Sequence, residues 1–597
     1  MNANSQTETA EPANCGDAVA ELDRSPRRQA ASESGLGEIL FVGCVIVLTC
    51  LLRIRYASQV GFNSDEPQHL HVVWGWTSGL LQYRDVFDNH APLFDILLAP
   101  VLRLIGERAE VLIWMRLAML PLFLASLWAV FEIGKSVFSR RVGLWAVLVA
   151  AVFPHFEREN GRVVADALFF FKMGEFRTDV LWTMFWLCSL AVLLRGRLGA
   201  GRCFWFGVLL GAALAVSMKT ILMLVTVAMA AVVICLFAIC ERRVMRQPAL
   251  LVAAALAGFV VIPSLIIAYF AAKNGLAAMH YCIVTHNEIP GSSVFDRARH
   301  SWRYIMPRVV VLIMFAGWVY RTARTSLNPG NEKRAFLVLI AGFYYVAVCG
   351  LWPIITPQDF QPSDPVFAIC VTSLLVAAGE YLEKRFTYSL ARYMPAGAVV
   401  IAGLAMILHE ESLFQHRTED EVAMVGDVLR LTKPGEQVID AKGECIYRPR
   451  GWYMVLETIA RKKLRMHLLK DDLVETTVQK RIPLAHGFER MLDEDRGWFE
   501  RHYVQVGHVF VAGEILKPAP TAERSFEVVI PETYAVVADS GPVRGLLDGK
   551  PVTGPVRLEA GYHEFLSQDG HASRRFAVVW ARAVEKGYSP FGGVPHS

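Results

Sequence analysis

The run Ile39-Leu40-Phe41-Val42-Gly43-Cys44-Val45-Ile46-Val47-Leu48-Thr49-Cys50-Leu51-Leu52 holds no charged side chain and lies within an apolar stretch over about residues 38–56. A helix of that length crosses the ~30 Å of bilayer hydrocarbon. Similar runs recur near 111–133, 142–157, 178–194, 203–217, 221–240, 249–271, 304–320, 335–352, 363–381 and 394–410, which makes eleven candidate spans. Two are weaker: 142–157 is short, and 203–217 is parted from the next run only by Met218, Lys219 and Thr220. Composition agrees. Over 597 residues the apolar set AVILMFWYC makes up 54% and charged residues 19%, below the ~25% of ordinary soluble chains. That excludes a disordered chain, a disulfide-built miniprotein and a conventional cytosolic enzyme. Sixty Lys and Arg against 56 Asp and Glu leave +4, too little for a nucleic-acid-binding polycation. The eleven cysteines form no Cys-x-x-Cys pair, and most sit in apolar runs, where cysteine behaves as a small hydrophobe. The expected fold is a polytopic α-helical membrane protein with about 11 transmembrane helices.

Lys and Arg in the short loops set the orientation. With residues 1–37 cytoplasmic (Arg24, Arg27, Arg28), the inside loops in turn hold Lys135, Arg140 and Arg141, then Arg195, Arg197 and Arg202, then Arg242, Arg243 and Arg246. The last two hold Arg321, Arg324, Lys333, Arg334 and Lys384, Arg385, Arg392. The polar tail 1–37 reads as disordered and not as a signal peptide. Segments 57–110, 155–177, 272–303 and 353–362, and everything after about 410, then fall outside. No Asn-x-Ser/Thr sequon occurs, which suits a bacterial inner (cytoplasmic) membrane with its active face periplasmic.

Residues 38–410 form the membrane part. Residues 411–520 mix short apolar strands (Gln437-Val438-Ile439, Val504–Val511) with helix-like stretches such as Trp452–Leu464, and read as a soluble extracytoplasmic α/β domain. The linker Lys517-Pro518-Ala519-Pro520 leads to 521–597, where Asp548-Gly549, Ala560-Gly561 and Asp569-Gly570 punctuate alternating runs. Such dipeptides mark hairpins, so a small β-sandwich is expected.

Chemistry concentrates in the first outer loop. Asn63-Ser64-Asp65-Glu66-Pro67-Gln68-His69-Leu70-His71 opens a helix-like stretch over Gln68–Leu81, and Asp88-Asn89-His90-Ala91-Pro92-Leu93 opens an amphipathic stretch over Leu93–Leu104. Pro67 suits a first helical turn and Asp65 a position near the cap. On local pattern alone, helix capping at a water interface explains these acids as well as catalysis does. His280, His286 and Glu288 do not share a helix face at their spacing, so no metal ligands are assigned there.

Four motifs in order carry a resemblance. Asp65-Glu66 follows the first span, and Asp88-Asn89-His90-Ala91-Pro92-Leu93 opens the second interfacial helix. Glu175-Phe176-Arg177-Thr178-Asp179 opens the fourth span, and Gln358-Asp359-Phe360-Gln361-Pro362-Ser363-Asp364-Pro365 precedes the tenth. Over residues 38–410 this resembles the membrane glycosyltransferases of the C superfold. More narrowly, it is similar to their protein-mannosyltransferase-like branch and the relatives that glycosylate lipid A (lipid A aminoarabinose transferase-like). Ala91 departs from the family's first proline.

The resemblance implies a sugar donor on a polyprenyl phosphate, an inverting transfer to an acceptor hydroxyl outside the cytoplasm, and a hexosyl- or pentosyltransferase. The acceptor would be lipid, protein or polysaccharide; membrane lipids are partners and nucleic acid is not. The phosphate leaves as an anion, so cations or hydrogen-bond donors must stabilise it. A carboxylate is the natural base for the hydroxyl, and burial near the membrane surface would raise its pKa. Asp65 is the expected base, with Glu66 orienting it or helping to hold a divalent ion (Mg or Mn). No cofactor is otherwise implied. Asp88, Asn89 and His90 would hold sugar or acceptor.

Arg177 either contacts phosphate or bridges Glu175 and Asp179; Lys219 either contacts phosphate or snorkels to the interface. Arg303, with Arg297, Arg299 and His300, either funnels an anionic head group or is a screened surface cluster, and Gln358 is a further phosphate donor. A transporter or flippase would instead place ionisable groups mid-span, whereas the candidate spans here are nearly free of Asp and Glu. An anchor for sensory tail domains would not need eleven spans.

Overall fold

The structure, a computed structural model, describes residues 35–153, 155–159, 162–240, 247–288, 313, 317, 329–352, 355–517, 523–568 and 574–592. Apolar runs become helices, because only a helix satisfies its own backbone groups in hydrocarbon. In chain order these are α1 (Leu36–Gln59), α2 (Asp65–Thr77), α3 (Leu93–Ile105), α4 (Val111–Leu117), α5 (Leu120–Val137) and α6 (Arg140–Ala151). The hairpin β1 (His155–Glu159) with β2 (Arg162–Asp166) intervenes. Then follow α7 (Leu168–Lys172), α8 (Thr178–Leu194), α9 (Ala200–Val216), α10 (Thr220–Cys240), α11 (Pro248–Phe259), α12 (Val261–Ala272), α13 (Leu276–His280), α14 (Pro329–Leu351), α15 (Asp364–Phe386) and α16 (Met394–His409).

Among the described residues, six helical stretches are long and apolar enough to cross a membrane: Leu36–Gln59, Val111–Val137, Pro248–Ala272, Asn331–Leu351, Asp364–Phe386 and Ser389–His409. Thr178–Leu194, Ala200–Val216 and Thr220–Leu236 are apolar but shorter. The expected span 142–157 is the 12-residue α6, which gives way to the β1–β2 hairpin. The expected span near 304–320, apart from Ile313 and Gly317, and the tail before residue 35 lie outside the described residues. The chain is a multi-pass membrane protein.

Small residues set the helix spacing. A Cβ added at Gly207 of α9 would stand 2.0 Å from the Ala255 carbonyl oxygen, and one at Gly258 of α11 would stand 2.0 Å from that of Phe204. The two backbones therefore touch, the packing that small residues permit where lipid removes any hydrophobic drive. Large apolar side chains such as Val47, Leu51, Trp128, Trp205 and Leu265 stay exposed, as a lipid-facing surface requires. Charges inside the helices are matched. Arg53 of α1 lies 3.6 Å from the Phe123 ring centroid, and Glu38 meets Arg141 at 3.3 Å.

After α16 the chain turns soluble. Helix Glu419–Leu431 leads to an irregular segment and to helices Thr458–Arg465, Leu473–Gln479 and Asp493–His502. The strands are β3 (Leu484–Ala485), β4 (Tyr503–Val506), β5 (Val509–Leu516), β6 (Glu523–Val528), β7 (Glu532–Ala538), β8 (Gly545–Leu547), β9 (Lys550–Pro551), β10 (Val556–Leu558), β11 (Gly561–Ser567) and β12 (Phe576–Trp580).

Three expectations change here. The expected strand Val504–Val511 is the hairpin β4–β5, with Val506 opposite Val509. A six-stranded sheet runs β10-β7-β12-β5-β3 with β4 also on β5, and a four-stranded sheet runs β6-β11-β8-β9. The first sheet takes strands from both sides of residue 520, so the boundary expected at 520/521 falls inside one sheet. Asp548-Gly549 does turn a hairpin between β8 and β9. Ala560-Gly561 instead carries the chain from one sheet to the other, since β10 pairs with β7 and β11 with β6 and β8. The sheets share an apolar core in which the rings of Phe565 and Phe576 lie 5.1 Å apart. Asp569-Gly570 lies outside the described residues.

The part after α16 is fastened to the segment between the end of α1 and α4. The Arg417 N–H donates to the Gln59 carbonyl at 2.9 Å, the Tyr447 hydroxyl to that of Gly106 at 3.1 Å, and His71 Nδ1 meets the Ile446 carbonyl at 2.7 Å.

Candidate functional site

A cavity of about 590 Å³ opens between the membrane helices and the soluble part. Its walls come from the start of α2 (Ser64, Asp65), the 89–91 turn, Arg177, the 217–219 turn, the segment after α13 (Asn287, Glu288), Gln358 and Asp359, and the soluble residues Lys442, Glu457, Arg461 and Arg490.

Asp65 is the first residue of α2, and its side chain is 30% exposed. Its Oδ2 lies 2.9 Å from Arg177 Nη1, and its Oδ1 accepts from the Lys442 ammonium. Burial pushes the carboxyl up, but the charges of Arg177 and Lys442 outweigh burial and hold it well below the usual carboxylate range. The expected upward shift is therefore reversed, because two cations share one carboxylate.

Glu66 points away from the cavity into a fully buried cluster. Arg116 donates to it from Nη2 at 2.6 Å and from Nε at 2.7 Å, and the backbone N–H groups of Asn63 and Phe176 add bonds of 2.7 and 2.8 Å. Arg116 also bonds the Gly61 carbonyl at 2.9 Å. Glu66 thus ties the end of α1, the start of α2 and the 175–177 segment together. Each of its oxygens already accepts two hydrogen bonds, which leaves no lone pair for an ion.

From Asp65 an alternating chain of charges runs along the cavity. Arg177 Nη2 lies 3.3 Å from Asp179, Lys219 Nζ lies 3.3 Å from Asp179 and 2.6 Å from Asp359, and Glu175 approaches Arg177 at 3.6 Å. Arg177 is nevertheless on the cavity wall, so it both bridges the acids and faces the space. Lys219 is paired and only 20% exposed; it does not reach out to the interface.

Asp88 stands behind the wall, fully buried. It accepts from Gln82 Nε2 at 2.7 Å and faces His90 Nδ1 at 2.9 Å, while Gln82 also bonds Asp95 at 3.0 Å. Burial first, and the neighbouring Asp88 next, push the Asp95 carboxyl well above the usual range. His69, one turn along α2 from Asp65, lies with its ring centroid 4.6 Å from that of His90, and its Nδ1 has no hydrogen-bond partner among the described residues. Burial, then His90, push His69 down to about 3. It is therefore a neutral imidazole at working pH.

The donor atoms of His69, Asp88 and His90 lie within 4.8 Å of one another, the one such group of three among the described residues. Two imidazoles and a carboxylate fit a zinc-like or manganese ion better than magnesium.

Asp65, Asn89, His90, Arg177, Lys219 and Gln358 all line the cavity. Glu66, Asp88 and Asp179 are buried and stand beside lining residues they bond. Arg303, with Arg297, Arg299 and His300, lies outside the described residues. Sequence reasoning missed Lys442, His69, Arg116 and Gln82. His69 was legible as Asp65 plus one turn. Lys442 had only the turn-like Asp440-Ala441-Lys442-Gly443 around it, and nothing local pairs it with a residue 377 positions away.

No protein-family profile and no curated protein sequence matches the chain. Among solved structures it is similar to ArnT from Cupriavidus metallidurans in the apo state, with TM-score 0.53 and 12% identity over 79% of this chain and 97% of that one. ArnT bound to undecaprenyl phosphate gives TM-score 0.50 at 12% identity over 80% and 93%. The archaeal oligosaccharyltransferase AglB from Archaeoglobus fulgidus, in complex with an inhibitory peptide and a dolichol-phosphate, gives 0.45 at 10% over 80% and 75%. The chain has the fold of ArnT.

Proposed function

We propose that the chain is an integral-membrane inverting glycosyltransferase. It moves a hexosyl or pentosyl group from a polyprenyl-phosphate donor to an acceptor hydroxyl on the extracytoplasmic face of a bacterial inner membrane. In this reading the polypeptide crosses the membrane eleven times, with its N-terminus cytoplasmic and its C-terminal domains outside. The acceptor is lipid, protein or polysaccharide.

One observation carries the reading: Asp65 stands on the wall of a cavity that also presents Arg177, Lys219 and Lys442. A carboxylate accepts the acceptor proton and its charge favours an oxocarbenium-like transition state. The cations stabilise the departing phosphate. A single displacement at the anomeric carbon inverts it. The shared fold with ArnT, which has been crystallised with undecaprenyl phosphate, supports the donor class.

Asp88, Asn89 and His90 hold sugar or acceptor, Asp179 keeps Arg177 and Lys219 in place, and Gln358 adds a donor to the phosphate. His69, Asp88 and His90 are the residues that would hold a divalent ion; such an ion supplies positive charge beside the leaving group.

The test is transfer in liposomes from a panel of labelled polyprenyl-phosphate sugars. Wild-type transfer that Asp65→Asn loses supports the reading. Full turnover by Asp65→Asn, on a donor the wild type uses, overturns the base assignment.

A further inference from the structure

Both oxygens of Asp65 are occupied, Oδ2 by Arg177 at 2.9 Å and Oδ1 by Lys442. Each oxygen keeps a second lone pair, but a carboxylate held by two cations is a poor base, so losing one partner raises its affinity for a proton. Arg177 is gripped from behind by Asp179 at 3.3 Å and Glu175 at 3.6 Å. Lys442 is as buried as Arg177, but its ammonium has only one other hydrogen-bond partner among the described residues, the neutral Ser64 hydroxyl at 3.1 Å. Its four-carbon stem lets the ammonium swing while the backbone stays fixed.

That backbone is fixed with some care. Asp440 accepts the N–H groups of Gly443 at 2.7 Å and Cys445 at 3.0 Å and the Arg450 Nε at 2.7 Å, and Glu444 accepts the Lys442 N–H at 2.7 Å. Gly443 has φ +86, and a Cβ there would stand 3.0 Å from that of His71. The loop is pressed against α2, and its lysine is delivered onto the first residue of that helix. Docking of the soluble part does not need this lysine, since Arg417, Tyr447 and Ile446 already secure it. Lys442 and Asp65 both face the cavity.

We propose that Lys442, supplied by the soluble domain, is a ligand of the donor's phosphate that rests on Asp65 until the phosphate arrives. This rests on the reading that a lipid-linked phosphate enters the cavity. An incoming phosphate takes the ammonium from Asp65 and leaves Oδ1 open. The acceptor O–H bond then breaks with its proton passing to Asp65. The acceptor oxygen forms its bond to the anomeric carbon as that carbon's bond to the phosphate oxygen breaks, the electron pair leaving with the phosphate. Donor binding and base release become one event.

The test is binding of undecaprenyl phosphate to the purified full-length protein in detergent, with undecaprenol as the phosphate-free control. Asp65→Asn removes the competing anion and is expected to tighten undecaprenyl phosphate binding by about tenfold. Lys442→Gln is expected to weaken it by roughly threefold in the wild type but by more than ~tenfold in the Asp65→Asn background, the non-additivity of a contact that must break before another forms. Lys442→Arg is expected to bind within about twofold of wild type. Undecaprenol binding should move in none of them.

The proposal is overturned if Asp65→Asn weakens binding, if Lys442→Gln changes neither background, or if undecaprenol follows the same pattern. A wild-type protein that binds undecaprenol and undecaprenyl phosphate equally would overturn the donor assignment itself.

Discussion

Arg177 Nη1 stands 2.9 Å from Asp65 Oδ2, joining the residue that opens α2 to the residue that precedes α8. Arg177 reaches on to Asp179, and Asp179 to Lys219.

Adjacent acids of one motif should fail in different ways. Asp65→Asn is expected to cost less stability than the change at Glu66, since its side chain is 30% exposed, while losing about 10²–10⁴ in turnover, the usual worth of a general base. Glu66→Gln leaves Arg116 buried without its counter-charge and is expected to cost about 3–5 kcal/mol of stability. Thermal unfolding beside transfer assays separates the two. Equal melting temperatures would contradict the roles assigned here.

Acid should destabilise the protein before the carboxylates protonate. His69 is held neutral in the fold and pushed down to about 3, whereas an unfolded imidazole titrates near ~6.5. Between these values the unfolded chain binds the extra proton, so stability falls as pH falls, by up to about 1.4 kcal/mol per unit for this group. Asp65 acts in the same direction at lower pH. Its lowered pKa stabilises the fold above the ordinary carboxylate value, and that support fades only below about pH 4. His69→Asn is expected to flatten the loss between about pH 6.5 and 5 in denaturant titrations; an unchanged slope would refute the assignment.

Gly443→Ala should cost about 1–3 kcal/mol, because φ +86 is strained for alanine and its Cβ meets His71 at 3.0 Å. Gly497 lies within helix Asp493–His502 with nothing within 4 Å of its added Cβ. Gly497→Ala is therefore expected to be neutral or to stabilise by about 0.5–1 kcal/mol. Paired melting curves check the contrast.

Chelated protein titrated with Co²⁺ should show one-site binding with visible absorption bands. His69→Ala and Asp88→Asn are each expected to weaken that binding by tenfold or more. Retained affinity in both variants would move any ion elsewhere.

Much of this was legible in the chain itself. The interfacial helix expected at Leu93–Leu104 is Leu93–Ile105, because an amphipathic run after a proline carries its own boundary. The motif acids Asp65, Asp179 and Asp359 fall together because each begins or precedes a helix at the same end of the bundle, joined through Arg177 and Lys219. What escaped was long-range. Asp65 was expected to be a raised-pKa carboxylate, since burial can be guessed locally, while the cations opposing it sit 112 and 377 residues on. The common sheet was hidden for the same reason. β5 and β12 pair across sixty residues, and no turn dipeptide announces that partnership.

That pairing has a practical corollary for anyone wishing to trim this polypeptide. Stopping translation at the proline-containing linker would strip β12 from β5, baring a row of backbone donors and acceptors next to the region that presents Lys442. Such an edge recruits other chains. Shortened versions are expected to aggregate, and the last seventy-odd residues are better regarded as part of one continuous sheet than as a detachable appendix.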